Sequence, residues 1–279
     1  MNNKLQPCLW FDGQAKNAAT FYCSIFSNAK IVVDTPMVVK FEIAGKIIMG
    51  LNGGPMFKIN PSISFFVTCT SVEEIEHTWE KLLDGGKAMM PLDKYPWSEK
   101  YGWLVDKFGM TWQLILGEMP DERQKIICSF LFTGDKYGQA RQAMEHYTAI
   151  FPGSKINQME LYQAGEAQPE GSLKFGHFSL NDEQFAAMDG FGAHEFVFNE
   201  GVSILVECEN QEEIDHYWNS LTAGGRECMC GWLVDKFGVS WQIVPRIIGS
   251  LMTNPDKAGK VMQELMKMKK IEIDTLQNA

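Results

Sequence analysis

The sequence predicts an α+β protein made of two tandem copies of one domain, each copy holding two βαβββ modules. Three observations predict it. GWLVDKFGMTWQ, beginning at Gly102, returns as GWLVDKFGVSWQ at Gly231, 129 residues later, with ten of twelve positions identical. The flanking segments recur in the same order. Apolar residues switch between a period near two and a period near 3.6 at matching places in both halves. A long period with one order of elements indicates duplicated domains, not a solenoid of short repeats.

The elements follow in chain order. Leu5 to Phe11 is a short strand that Asp12 and Gly13 break. Ala15 to Phe26 carries Ala18, Ala19, Tyr22, Ile25 and Phe26 at helical spacing. Lys30 to Val33 is a strand, and Met37 to Ile43 with Lys46 to Leu51 forms a hairpin about Ala44-Gly45, stopped by Asn52-Gly53-Gly54-Pro55. Ser62 to Thr68 is the next strand. Ser71 and Glu74 form a capping box for a helix that runs to Leu83 and ends at Gly85-Gly86. Strands at Lys87 to Met90, Gly102 to Asp106 and Thr111 to Leu116 complete the first copy. In the motif, Asp106 opens a turn closed by Gly109, and Phe108 and Trp112 fill the space beneath it; Asp235 and Gly238 do the same in the second copy.

The second copy repeats each step. EEIEHTWEKLLDGG from Glu73 matches EEIDHYWNSLTAGG from Glu212, and FYCSIFSNAKI from Phe21 matches HYTAIFPGSKI from His146. SISFFVTC matches VSILVEC, and CLWFDG matches FLFTG. MMPLDKYPWSEKYGW is longer than its partner ECMCGW. The polar segment Gly117 to Gln124 marks the boundary, which gives domains over 1–118 and 125–246 and a helical tail over 247–279. In the tail, Asn254-Pro255 starts a helix with Val261, Leu265 and Met268 as its apolar stripe.

Composition narrows the function. A net charge of −10 argues against nucleic acid as a partner. The N-terminus lacks the apolar core of a signal peptide, and no run is long enough to span a bilayer, so a cytoplasmic protein without a membrane partner is expected. Seven cysteines with no CxxC read as small buried hydrophobes, except Cys228 and Cys230 in a loop. No Gly-rich strand-to-helix turn for S-adenosylmethionine, no Walker loop, no GxSxG and no HExxH is present.

LWFDGQAKNAATFYCSIF, LNGGPMFKIN, EEIEHTWEKLLDGG and GWLVDKFGxxWQ, with HYTAIFPGSKI, CGWLVDKFGVSWQIVP and the tail LMTNPDKAGKVMQELMKMKKI, carry a resemblance. The chain resembles the vicinal oxygen chelate (glyoxalase/bleomycin-resistance) superfamily, and within it the PhnB-like family labelled "3-demethylubiquinone-9 3-methyltransferase". The resemblance covers essentially the whole chain. It implies glyoxalase-like domains in which each domain's two modules pair into a curled mixed sheet, with helices outside and a cavity inside. It also implies homodimerisation.

Alternation then assigns faces. Gln6 and Trp10, Lys40 and Glu42, Ser62 and Ser64, and Gln113 face the first cavity; Ser129, His177, Ser203 and Gln242 face the second; Trp103 and Trp232 form aromatic walls. Many superfamily members hold a divalent metal with His and Glu from four strands. The corresponding positions here are Gln6, Met49 or Leu51, Ser62 and Gln113, and in the second half Ile127, Ala187 or Met188, Gly201 and Gln242. These are poor ligands, so neither a conventional metal centre nor another cofactor is expected. His77 and His216 share one repeat position on a helix and read as structural or surface residues; His146 stands where Phe21 stands, and His194 lies in a loop. The expectation is a small-molecule-binding protein lined by amides, hydroxyls and indoles. The alternative is a glyoxalase- or dioxygenase-type enzyme acting on a small polar or quinone-like substrate, for which Glu42 and His177 are the catalytic candidates. In a third reading, one domain keeps its pocket and the other serves as a dimerisation scaffold.

Overall fold

The computed structural model describes residues 4–119 and 125–279. Residues 120–124 of the expected boundary segment lie outside the described residues. Four modules follow one another. The first is β1 (Leu5–Phe11), α1 (Ala15–Ile25), β2 (Lys30–Asp34), β3 (Val38–Ile43) and β4 (Lys46–Asn52). The second is β5 (Ile63–Cys69), α2 (Val72–Leu83), β6 (Lys87–Tyr95), β7 (Ser98–Val105) and β8 (Thr111–Leu116). The third is β9 (Ile126–Phe132), α3 (Ala140–Ile150), β10 (Lys155–Leu161), β11 (Leu173–Leu180) and β12 (Glu183–Asp189). The fourth is β13 (Val202–Cys208), α4 (Gln211–Thr222), β14 (Arg226–Glu227), β15 (Trp232–Val234) and β16 (Ser240–Pro245). Helices α5 (Ile248–Thr253), α6 (Ala258–Leu265) and α7 (Ile273–Gln277) end the chain.

The strands form two mixed sheets of eight. By compactness the chain divides into a larger unit, residues 7–202, and a smaller one, residues 1–6 with 203–279.

The larger unit holds one whole sheet, in the order β10-β11-β12-β9-β5-β8-β7-β6. At its centre β5 pairs antiparallel with β9, setting Ser64 opposite Ser129 and Phe66 opposite Ile127. This pairing corrects one expectation. The second module does not pair with the first module of its own repeat; it pairs with the third, from the other repeat. Helices α2 and α3 cover one face of this sheet, where Phe65, Trp112, Leu114, Phe130 and Phe178 are fully buried. The same unit contains β2-β3-β4-β1, with α1 over Leu9, Val39, Phe41 and Ile48. Lys46, at the β3–β4 turn, is buried and lies 2.5 Å from Glu183 Oε2.

The repeated motif owes its aspartate to packing and turn geometry. Asp106 Oδ1 accepts the N–H groups of Phe108 (2.8 Å) and Met110 (3.1 Å), while Oδ2 accepts Tyr22 O–H and Trp112 Nε1–H, each at 2.8 Å. One carboxylate thus closes the β7–β8 turn and ties α1 to β8. Gly109, at φ 89°, adopts the left-handed backbone that the turn needs. Asp235 repeats the arrangement with Phe237, Val239 and Trp241.

Capping follows the sequence with one shift. Ser71 Oγ accepts Glu74 N–H at 3.2 Å, but the Glu74 carboxylate reaches Thr70 N–H instead of Ser71. The β6–β7 hairpin is longer than expected because Tyr95 pairs with Ser98 across a tight turn.

In the smaller unit the order is β14-β15-β16-β13. Glu207 N–H donates to Lys4 carbonyl at 2.8 Å, which sets Gln6 opposite Leu205 by antiparallel register. The tail helix begins at Ala258, not Asn254, since 254–257 is a turn. Val261, Leu265, Ile271 and Leu276 are buried, and Cys230 and Gly231 donate to the carbonyls of Met268 and Lys269. The tail therefore packs on its own chain, against the loop that precedes the short strand β15.

Candidate functional site

The face of the larger unit's sheet that carries no helix gathers the predicted polar residues. Its register runs His177 opposite Ala186, Ala186 opposite Ser129, and Ser129 opposite Ser64. One step along, Phe66 is opposite Gln113, and Gln113 is opposite Trp103. Alternation puts all of these on one face. Ser64 and Ser129 come from different repeats, so this site is assembled between repeats and not within either domain.

At its centre is a closed polar relay. Tyr101 O–H donates to Gln113 Oε1 at 2.8 Å, and Gln113 Nε2 donates to Ser64 Oγ at 2.6 Å. Gln113 is 3% exposed and Ser64 not at all. A buried amide left without partners costs about 1–3 kcal/mol, and the relay removes that cost. Burial, reinforced by nearby Tyr95, raises the Tyr101 pKa, so the phenol stays a neutral donor. Beside the relay, Ser129 Oγ and Trp103 Nε1 are buried and have no hydrogen-bond partner among the described residues. Burial lowers the pKa of half-buried His177, which favours its neutral form.

Around these atoms the wall is apolar. Phe66, Tyr101, Ile127 and Ala186 form a cluster, and Met90, Tyr95, Trp103 and Phe175 pack against it. Tyr101 is not among the candidates that the sequence singles out. Its signal is present all the same, because it stands two residues before Trp103 and alternation puts both on one face. The repeat obscures it: Cys230 occupies the equivalent position in CGWLVDKFG.

The remaining predicted residues fall into two other groups. In the smaller unit, Gln242 Nε2 donates to Ser203 Oγ at 2.9 Å, and Gln242 is opposite Trp232 and Leu205, the residue that Gln6 also faces. With Cys230 in place of tyrosine, the phenol–amide bond is not repeated there. In the larger unit's other strands, Trp10 Nε1 donates to Gly54 carbonyl at 2.7 Å and its ring meets Phe57 edge-on. Lys40 is opposite Met49. Glu42 is ion-paired with Lys30 at 3.1 Å and lies on a different sheet from His177. Ser62 turns its hydroxyl to Asn60 Oδ1 at 2.6 Å, a local loop contact. His77 and His216 are exposed on α2 and α4.

The metal positions implied by the resemblance do not fit a metal. Gln113 Oε1 is engaged by Tyr101, Ser62 by Asn60, and Ile127 and Ala187 supply no donor atom. Among the described residues, no group of three or more His, Cys, Asp or Glu side chains could hold a metal ion.

Two tandem repeats, four βαβββ modules and eight-stranded mixed sheets with helices on one side give the chain a glyoxalase-like fold. The chain shares this fold with glyoxalase I from Zea mays, at 11% identity and a TM-score of 0.59, over 94% of this chain and 95% of that one. The chain belongs to the 3-demethylubiquinone-9 3-methyltransferase family, whose model matches residues 3–115 and 124–244. It is 35% identical to a putative 3-demethylubiquinone-9 3-methyltransferase, PhnB protein, from Bacillus cereus, covering 40% of this chain and 98% of that one with a TM-score of 0.38. A protein from Pseudomonas aeruginosa is 21% identical over 40% of this chain and 96% of its own, with a TM-score of 0.35. No curated protein matches the sequence.

Proposed function

We propose that the protein binds a small molecule on the helix-free face of the larger unit's sheet, through neutral hydrogen-bonding groups and without a conventional metal centre. The carrying observation is the fixed relay Tyr101–Gln113–Ser64 beside two buried polar atoms, Ser129 Oγ and Trp103 Nε1, that lack partners among the described residues. Buried polar atoms are normally satisfied, so such a pair marks a place that a ligand completes. The net charge of −10 keeps nucleic acid outside this reading. A cytoplasmic homodimer belongs to the same proposal, and sedimentation of the purified chain tests the dimer.

Native mass spectrometry of the purified chain, before and after denaturation, tests the binding. The expected result is a released small molecule that Gln113→Ala no longer retains. A stabilisation specific to Zn²⁺, Ni²⁺ or Mn²⁺ in a thermal-shift assay, lost in Gln113→Ala, overturns the metal-free reading.

One observation favours an enzyme: a neutral imidazole, His177, lies on the same face two strands from Ser129. There it serves as a proton acceptor toward a bound substrate. Loss of turnover in His177→Gln with ligand retention unchanged supports that role; loss of retention assigns His177 to binding.

A further inference from the structure

The longer of the two repeat hairpins gives the larger unit's face a feature that the smaller unit lacks. Strands β6 and β7 run out to a turn at Pro96-Trp97, whereas β14 and β15 are two and three residues long. Tyr95 and Trp97 stack at 5.1 Å with 23° between planes, and both meet Tyr101 edge-on, at 5.7 and 5.6 Å. Trp97 is 56% exposed, an unusual placement for an indole, yet its ring is held by two neighbours. Alternation puts Tyr101 and Trp103 on one face of β7, Trp97 joins them from the preceding turn through its contact with Tyr101, and the inner end of the row is closed by Phe66 and Phe175, 6.0 Å apart.

The polar atoms along this row have a definite sense. Trp103 Nε1–H can only donate, and it is buried without a partner among the described residues. Gln113 Oε1, the nearby strong acceptor, already receives Tyr101 O–H. The site therefore asks its occupant for an acceptor. On the flanking strands β10 and β11, Glu160 and Lys174 lie 3.1 Å apart and pair with each other, and on β6 Asp93, opposite Tyr101, accepts the Lys94 N–H. An anionic occupant finds no free cation in that pair and would face the Asp93 carboxylate.

We propose that this face takes a neutral, planar aromatic molecule bearing a ring-attached oxygen acceptor, of the aryl-ketone class. Its ring stacks among Trp97, Tyr101 and Phe66, and its oxygen receives Trp103 Nε1–H. Trp97 and Trp103 are its specificity-determining residues. This rests on the small-molecule reading above and goes further by naming the ligand's chemistry.

Isothermal titration of the full chain with three matched probes tests it: 2-acetylnaphthalene, naphthalene, and cyclohexyl methyl ketone. The aryl ketone is expected to bind at least tenfold tighter than either partial probe. Trp103→Phe keeps a ring and removes the N–H; it should bring the aryl ketone down to naphthalene's affinity and leave naphthalene unchanged. Trp97→Ala, at an exposed site, should weaken both aromatic probes. Equal binding of the cyclohexyl ketone, or an aryl-ketone preference that survives Trp103→Phe, overturns the aromatic-acceptor assignment. No binding of any probe overturns it too. If a Gln113-dependent molecule is then still released on denaturation, the binding reading stands and only the ligand class is wrong; if none is released, both fail.

Discussion

Asp106→Asn probes the physical role of the repeated motif. The carboxylate accepts four hydrogen bonds in a site that is 4% exposed. Asparagine can keep its oxygen on the Phe108 and Met110 N–H groups. Its NH₂ then faces Trp112 Nε1–H, a donor that cannot reverse, and Tyr22 O–H, which can rotate and accept. The unpaired buried indole costs about 1–3 kcal/mol, and replacing a charged acceptor at Tyr22 with a neutral partner costs about 1 kcal/mol more. Burial raises the Asp106 pKa, so removing the charge returns part of this cost. The expected net loss is about 2 kcal/mol. Urea unfolding followed by circular dichroism reads it. Trp112→Phe separates the indole contribution: in the Asp106→Asn background it should cost about 2 kcal/mol less than in the wild type, because the orphaned donor is gone. A loss under about 1 kcal/mol for Asp106→Asn, or additivity within about 0.5 kcal/mol in the cycle, refutes the hub argument.

Other perturbations follow from the same structure. Lys46→Met leaves the half-buried Glu183 without its cation and should destabilise by about 2–3 kcal/mol, much of which Lys46→Met with Glu183→Leu recovers; an unaltered unfolding midpoint for the single variant rejects the pair as a stabilising contact. His177 has a folded pKa below its unfolded value, so the unfolded chain binds the extra proton in that window. Its contribution to stability is therefore complete above the unfolded pKa and lost as pH falls through the window. Comparing acid unfolding of wild type and His177→Gln measures it, and identical pH slopes count against it. Gly53→Ala places a Cβ against the Trp10 ring and should displace the indole from Gly54 carbonyl, costing about 1–3 kcal/mol; an unchanged Trp10 indole N–H resonance argues otherwise.

The legible part of the candidate site follows from period-two alternation. Placing Phe65 and Trp112 under the helix forces Ser64 and Gln113 to the opposite face, and the structure has both pairs so placed. Illegible is the company those residues keep. The repeat pattern groups Ser64 with its own half, yet its opposite neighbour is Ser129 from the other. Alternation within one domain puts Gln6 in a cavity with Gln113, yet its register neighbours are Leu205 and, beyond it, Gln242. Tyr101 is hidden because its repeat partner is cysteine.

The sequence by itself determined the duplication, the module order, the cap of α2 and the side of each strand that meets a helix. These depend on contacts within about a dozen residues and on backbone geometry that each segment carries with it. Only the tertiary structure decided which module pairs with which. All four modules begin with a strand of the same apolar pattern, β1, β5, β9 and β13, and each has an edge able to receive another. Local preference is nearly equal for every pairing. The choice falls to long-range contacts that no segment carries alone, such as the β5–β9 register that sets Ser64 opposite Ser129 and the Lys46–Glu183 ion pair between the first module and the third.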